Sequence, residues 1–375
     1  MRRRSDLLLA NVANIQMEWL PLVLAAVIAI SLLDFARSKI IDLNNAALGG
    51  QTTAVLAESD GQQMACSDAS DTAVCESVYE RAGGGPAVLW LGNSQNFAIN
   101  HYKRGDELAV VRVHRWLKNR GAWLVSYNQP NANLNEEALL FEALIHRYET
   151  RLVIFPVFMD KLREQGIREN IAAFMNDRKT AERIQSSPVW PSIAPLLVKE
   201  AEPAKTPTIQ QRVETDVDNL LNKYWPLWRD RSILSGNVGF VIHQLRNKLF
   251  GIHSYTKRPV DPQVYAEKIE VLASLLKSAK VQHVRMLLYI PPYRHDMPGP
   301  YDDAQYAKFK TDVKTLAVKY GADFADLDNT VPGPLWATVV DTVLGFEEPD
   351  FMHFTDEGHR RLADAMKACL AELGF

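Results

Sequence analysis

The chain has 375 residues, 47% hydrophobic and 23% charged, the make-up of a folded protein with room for one large domain or two smaller ones. Its formal net charge is −3, and no region interleaves basic and aromatic side chains, which argues against nucleic acid as a partner. Three cysteines and nine histidines show no zinc-ligand spacing, so no metal or other cofactor is implied.

Arg2, Arg3 and Arg4 precede an apolar stretch from about Met17 to Phe35, in which Glu18 is the one charge before Asp34. That run approaches the roughly 20 residues that span a bilayer as a helix. A cleaved signal peptide needs small residues at its cleavage site, and Asp34-Phe35-Ala36-Arg37 matches poorly. A buried core helix fits badly with three leading arginines. The favoured reading is an uncleaved signal anchor that enters the cytoplasmic membrane through residues 17–35. Residues 1–36 are then a cytoplasmic tip and anchor helix, with the bulk of the chain on the periplasmic or extracellular side. Residues 37–85 read as a juxtamembrane connector ending in Gly83-Gly84-Gly85, which lacks the Gly-Lys-Ser/Thr ending of a phosphate loop. Within it, Cys66 and Cys75 are able to close a small disulfide loop in an oxidising compartment.

From Ala87 onward short apolar strands alternate with amphipathic helices. Strands are expected at Ala87–Leu91, Ala122–Ser126, Arg151–Phe158, Val284–Ile290 and Asp323–Leu327. The later part of His101–Asn119 reads as helix, and Asn133 or Asn135 caps another over Glu136–Tyr148. Asp261 caps, and Pro262 opens, a helix to about Ala279. Tyr306, Phe309, Val313, Leu316 and Tyr320 mark the next, and Leu362, Met366, Cys369, Leu370 and Leu373 the last, with Cys369 as a buried small hydrophobe. This alternation implies an α/β protein whose parallel sheet is covered on both faces. Residues 161–260 interrupt it. They are mainly helical in pattern and rich in Pro and Trp, and they read as a helical insertion or lid.

The chemistry gathers at two distant segments. Ser94 follows the run Ala87-Val88-Leu89-Trp90-Leu91-Gly92-Asn93, at the end of the first strand. There a hydroxyl is exposed at the mouth of a sheet, Gly92 permits a tight turn, and the amides that follow point at a reacting carbonyl. Asp350-Phe351-Met352-His353 lies before the last helix. His353 is suited to act as base, with Asp350 holding its tautomer. Gly-x-Ser alone and Asp-x-x-His alone are weak signals, and their bland readings are a strand end and a helix-capping loop. Together, in the order Ser, Asp, His, they point to serine-dependent acyl transfer or hydrolysis.

Gly92-Asn93-Ser94 resembles the first sequence block of the SGNH (GDSL-type) hydrolases, and Asp350-Phe351-Met352-His353 with Gly358 resembles their last. The resemblance covers roughly residues 86–160 and 282–375. It implies a flavodoxin-like three-layer α/β/α fold over residues 86–375, with Ser94 as nucleophile, His353 as base and Asp350 as its partner. The middle blocks depart from the pattern. Asn131 stands where an oxyanion-hole glycine is usual, and Phe155-Pro156-Val157-Phe158-Met159-Asp160 lacks the usual asparagine. Asn131 is the candidate oxyanion donor in its place. Asp160 and Arg163 either touch substrate or form a local ion pair. With the anchor, the layout is similar to that of the envelope-acylation branch, the D-alanyl transfer proteins and the SGNH partners of membrane-bound O-acyltransferases. That resemblance implies an O-acyltransferase or acylesterase acting on a cell-envelope polysaccharide, with an acyl donor and a membrane-bound O-acyltransferase as partners. The alternative is a catalytically silent scaffold of the same fold.

Overall fold

Four strands made largely of Val, Leu, Ile and aromatic residues, and a short fifth, Asp-Phe-Ala-Asp, frame the sheet. The computed structural model describes residues 51–197, 249–340 and 347–375, together with Ser31. The anchor read over residues 17–35 (Ser31 aside), the connector before residue 51 and residues 198–248 of the insert lie outside the described residues. Among the described residues no helix is long and apolar enough to cross a membrane. Leu48–Pro203 with Gly251–Phe375 form one compact unit, which carries the sheet and the Ser94, Asp350 and His353 side chains.

The strands are β1 (Pro86–Gly92), β2 (Trp123–Asn128), β3 (Glu149–Pro156), β4 (Arg285–Ile290) and β5 (Asp323–Asp326). They pair in parallel in the order β2-β1-β3-β4-β5, and a two-residue strand, Ala65–Cys66, extends the sheet beyond β2. This is a doubly wound order, in which the winding reverses beside β1 and leaves a crevice at the carboxyl ends of the strands. Ser94 lies two residues past β1, at that crevice.

Both faces of the sheet are dry, and the side chains alternate between them. Ala87, Leu89 and Leu91 of β1 share one core with Tyr79, Leu139, Leu275 and Phe309. Val88 and Trp90 share the other with Val113, Leu362 and Met366. The first face is covered by α1 (Thr72–Arg81), α3 (Leu134–Leu144), α4 (Pro262–Val281) and α5 (Asp303–Tyr320); the second by α2 (Ala109–Lys118) and α6 (Asp356–Glu372). The protein is therefore a three-layer α/β/α structure. Each fully buried Leu, Val or Ile on these strands contributes roughly 1.5–3 kcal/mol by leaving water. Strands β1 to β4 run as largely apolar segments because both faces are covered, whereas β5, at the sheet edge, is half aspartate and only partly buried.

Caps set the helix starts. Asn133, not Asn135, caps α3: its side chain accepts the Asn135 and Glu136 amides, and the Glu136 carboxylate takes the Asn133 N–H in return. Asp261 caps α4 ahead of Pro262, and Gly321, at φ 75°, closes α5 in the left-handed conformation. On α6 the apolar stripe is deepest at Leu362, Met366 and Leu370, while Cys369, expected to be buried, is half-buried at its margin.

Residues 51–85, expected to be part of a connector, pack onto the sheet instead. Thr52–Ala54 pairs antiparallel with Ala98–Asn100. Helix α1 buries Cys75, Val78 and Tyr79, and a disulfide joins Cys66 on the edge strand to Cys75. The segment is polar on average, but its few apolar side chains are spaced to reach one face. The start of the insert is helical over Arg178–Ser186 and Trp190–Leu197. A buried ion pair between Lys161 and Glu137 fastens the loop after β3 to α3, and Lys161 Nζ also donates to the Pro156 carbonyl at 2.7 Å. Burial pushes Glu137 up to about 7 and Lys161 down, against the attraction of each for the other.

Candidate active site

Immediately after β1, Ser94 opens a single 3-10 turn, Ser94–Asn96. Asn93 precedes it in extended backbone, and its Oδ1 accepts the Gln95 N–H at 3.0 Å, which caps the turn. The Ser94 N–H has no acceptor among the described residues. Gly92 is required by close approach. A Cβ there would lie 2.1 Å from Asn96 Nδ2 and 2.8 Å from Asn128 Oδ1. The turn that carries Ser94 thus folds back over the end of the strand, and the buried Asn96 and Asn128 side chains fill the space a Cβ would need.

The second segment is built by an antiparallel pair, Thr338–Val340 with Glu347–Pro349, that delivers Asp350. Asp350 Oδ1 accepts the Met352 and His353 amides at 2.7 and 3.0 Å. These local bonds curl the loop so that His353 Nδ1 stands 3.1 Å from Asp350 Oδ2. His353 Nε2 is 2.9 Å from Ser94 Oγ. Because a carboxylate oxygen accepts, Nδ1 carries the imidazole hydrogen, and Nε2 is left to accept from the Ser94 hydroxyl. All three residues are buried, at 7% exposure for Ser94, 3% for Asp350 and 8% for His353, so their contacts are little diluted by water.

The loop is held from behind. Phe354 packs edge-on against Trp336 at 5.3 Å between ring centres. Gly358 makes room for it, since a Cβ there would meet Phe354 Cβ at 2.7 Å. One turn into α6, His359 is fully buried. Its Nδ1 accepts the Ala109 N–H at the start of α2 (3.2 Å), and its Nε2 donates to the Ala98 carbonyl (3.0 Å). Burial pushes this imidazole down to about 4, partly opposed by the Ala98 carbonyl.

Three further residues join the constellation that spacing in the sequence did not single out. Gln95 Nε2 donates to the Met352 carbonyl (3.2 Å) and the Pro292 carbonyl (3.4 Å), which ties the serine turn to the histidine loop and to the end of β4. Arg294 Nη1 donates to the Ala337 and Asp350 carbonyls at 2.8 and 3.3 Å. Asn100 Nδ2 donates to Asp350 Oδ2 at 3.2 Å. No local pattern announces these contacts, because each partner is far away in the chain. A small apolar cavity, lined by Phe158, Tyr293, Tyr301, Phe351 and Met352 among others, adjoins the same loop.

The other expected site residues stand apart. Asn131 is exposed on the turn after β2, at φ 51°, a left-handed conformation that glycine would also take. Asp160 is engaged elsewhere: Arg163 Nη1 lies 3.1 Å from it, Arg258 Nη1 3.7 Å, and the Tyr301 hydroxyl donates to it at 2.7 Å. Among the described residues no hydrogen bond joins Asn131, Asp160 or Arg163 to Ser94 or His353.

No family model and no curated protein matches the chain. Similar solved structures include a catalytic mutant of an acetylxylan esterase from Geobacillus stearothermophilus, at 13% identity over 78% of this chain and 95% of that one, with a TM-score of 0.38. A GDSL-like lipase from Bacteroides thetaiotaomicron shows 12% identity over 80% and 98%, with a TM-score of 0.36. An α/β hydrolase from the metagenome of Lake Arreo shows 13% identity over 76% and 94%, also at 0.36. Likeness at this level carries no argument about chemistry, which rests on the residues of the site.

Proposed function

We propose that the protein forms and discharges an acyl ester on Ser94, acting as a serine esterase or O-acyltransferase. The observation that carries this reading is the contact of Ser94 Oγ with His353 Nε2 at 2.9 Å, made across 259 residues of chain, while the same ring bonds Asp350. Ser94 Oγ attacks the ester carbonyl as His353 Nε2 takes its proton, and Asp350 steadies the resulting imidazolium. The oxyanion that develops faces the unpartnered Ser94 N–H. His353 then returns the proton to the leaving oxygen. In the second half-reaction water or a sugar hydroxyl gives its proton to His353 and attacks the acyl carbon, and the acyl–Oγ bond breaks as His353 returns that proton to Ser94 Oγ.

The acceptor proposed is a cell-envelope polysaccharide, with the catalytic unit tethered outside the cytoplasmic membrane beside a membrane-bound O-acyltransferase. Supporting this are the three arginines ahead of the apolar run at residues 17–35 and the Cys66–Cys75 disulfide, a bond suited to an oxidising compartment. The silent-scaffold alternative is disfavoured by the hydrogen-bonded Ser94, His353 and Asp350, which a scaffold has no need to keep aligned.

A fluorophosphonate probe tests the chemistry. The folded wild-type protein is expected to be labelled at Ser94, and Ser94→Ala to be blank. A folded wild type that takes no label would overturn the proposal. The acceptor is tested separately in cells: Ser94→Ala should strip O-acyl groups from the envelope polysaccharide, and full retention of them would return the scaffold reading.

A further inference from the structure

We infer that Asn100 is a fourth member of the catalytic chain, a positioning residue that acts on the reaction only through Asp350. The inference rests on the proposed Ser94 chemistry. Asn100 ends the Ala98–Asn100 strand, which begins just past the Ser94 turn, and it is fully buried. Its Nδ2 donates to Asp350 Oδ2 at 3.2 Å and to the Thr338 carbonyl at 3.1 Å, with the Trp336 carbonyl at 3.5 Å. The amide orientation follows from these partners: turned over, it would press a carbonyl oxygen against three acceptors. The backbone of the same residue donates its N–H to the Phe354 carbonyl at 3.0 Å. Asn100 therefore grips the Asp350–His353 loop twice, by its side chain at the Asp350 end and by its backbone just past His353.

The side-chain grip has a specific consequence. Asp350 Oδ1 is held by two amides of its own loop, and Oδ2 by His353 Nδ1 and Asn100 Nδ2. Four donors on two oxygens leave the carboxylate one orientation. Without Asn100, Oδ2 keeps a single donor, and that donor sits on the ring whose orientation the carboxylate is meant to fix. The position of the imidazole then rests on one bond rather than on a braced pair. A hydrogen bond to an ionised group of this kind is worth about a tenfold to hundredfold change in a rate that depends on it.

The test is the second-order rate of Ser94 labelling by a fluorophosphonate probe, with thermal melting of each variant recorded alongside. Asn100→Ala is expected to slow labelling about tenfold to a hundredfold in the wild-type background. In Asp350→Asn, where the imidazole has already lost its anchor, the same substitution should change the rate less than about threefold. Asn100→Asp keeps the shape but sets carboxylate against carboxylate, so it should fall at least as far as Asn100→Ala and melt lower. Equal losses in both backgrounds, or Asn100→Ala within about threefold of wild type, would overturn the inference. If wild type takes no label, the Ser94 chemistry falls. The melting arm still decides whether Asn100 holds Asp350: Asn100→Ala should lower the melting temperature less in an Asp350→Ala background than in wild type, and equal drops would show that it does not.

Discussion

Acid should loosen this protein through one buried imidazole. In the folded chain His359 accepts from Ala109 N–H and donates to the Ala98 carbonyl, so both ring nitrogens are used by the neutral form. Protonation would turn Nδ1 into a donor facing a donor, inside a fully buried site. Its position drops from 6.5 to about 4, with desolvation the leading cause. The direction of the linkage follows. Between these values the unfolded chain binds a proton that the folded chain refuses, so stability is complete above about pH 6.5 and falls as the pH drops toward about 4, below which this contribution is flat. At about 1.4 kcal/mol per tenfold change in proton affinity this depression is worth roughly 3 kcal/mol in full, with about 2 kcal/mol already lost by pH 5. The assay is urea unfolding followed by tryptophan fluorescence from pH 8 to pH 4, on wild type and on His359→Gln, which cannot titrate in this range. Carboxylates and other imidazoles contribute to both proteins, so the difference between the two curves isolates His359. That difference should shrink by roughly 2 kcal/mol between pH 7 and pH 5. Parallel curves would refute the reasoning.

Two further outcomes follow from the same geometry. Gly92→Ala should destabilise the fold by about 1–3 kcal/mol and slow Ser94 labelling, because the new methyl would sit 2.1 Å from Asn96 Nδ2 on the turn that carries Ser94. Urea midpoints and probe labelling measure this, and an unchanged midpoint would show that the turn yields freely. Replacing Cys66 and Cys75 together by serine removes a cross-link across nine residues, which should cost about 2–3 kcal/mol in urea unfolding, with reductant destabilising wild type but not the double variant. A reductant-insensitive wild type would show that the bridge does not form in the isolated protein.

The sequence alone determined the alternation of strand and helix, because a strand buried on both faces must be apolar throughout and a covering helix must be amphipathic. Those patterns are local, and β1, β3, β4 and the caps at Asp261 and Asn133 lie close to where they were expected. It also marked Ser94, Asp350 and His353, since a strand end followed by a hydroxyl, and a carboxylate three residues from an imidazole, are short-range signals. Tertiary structure decided the rest. The polar segment at residues 51–85 belongs to the domain because its few apolar side chains find a distant face to bury, which average composition hides. Asp160 is spent on Arg163, Arg258 and Tyr301, partners that lie up to 141 residues away. The bonds of Asn100 to Asp350 and of Gln95 to Met352 each join residues about 250 positions apart, so no spacing rule reaches them. Local chemistry selects which groups can react, and only the packing of remote segments fixes which neighbours hold them in line.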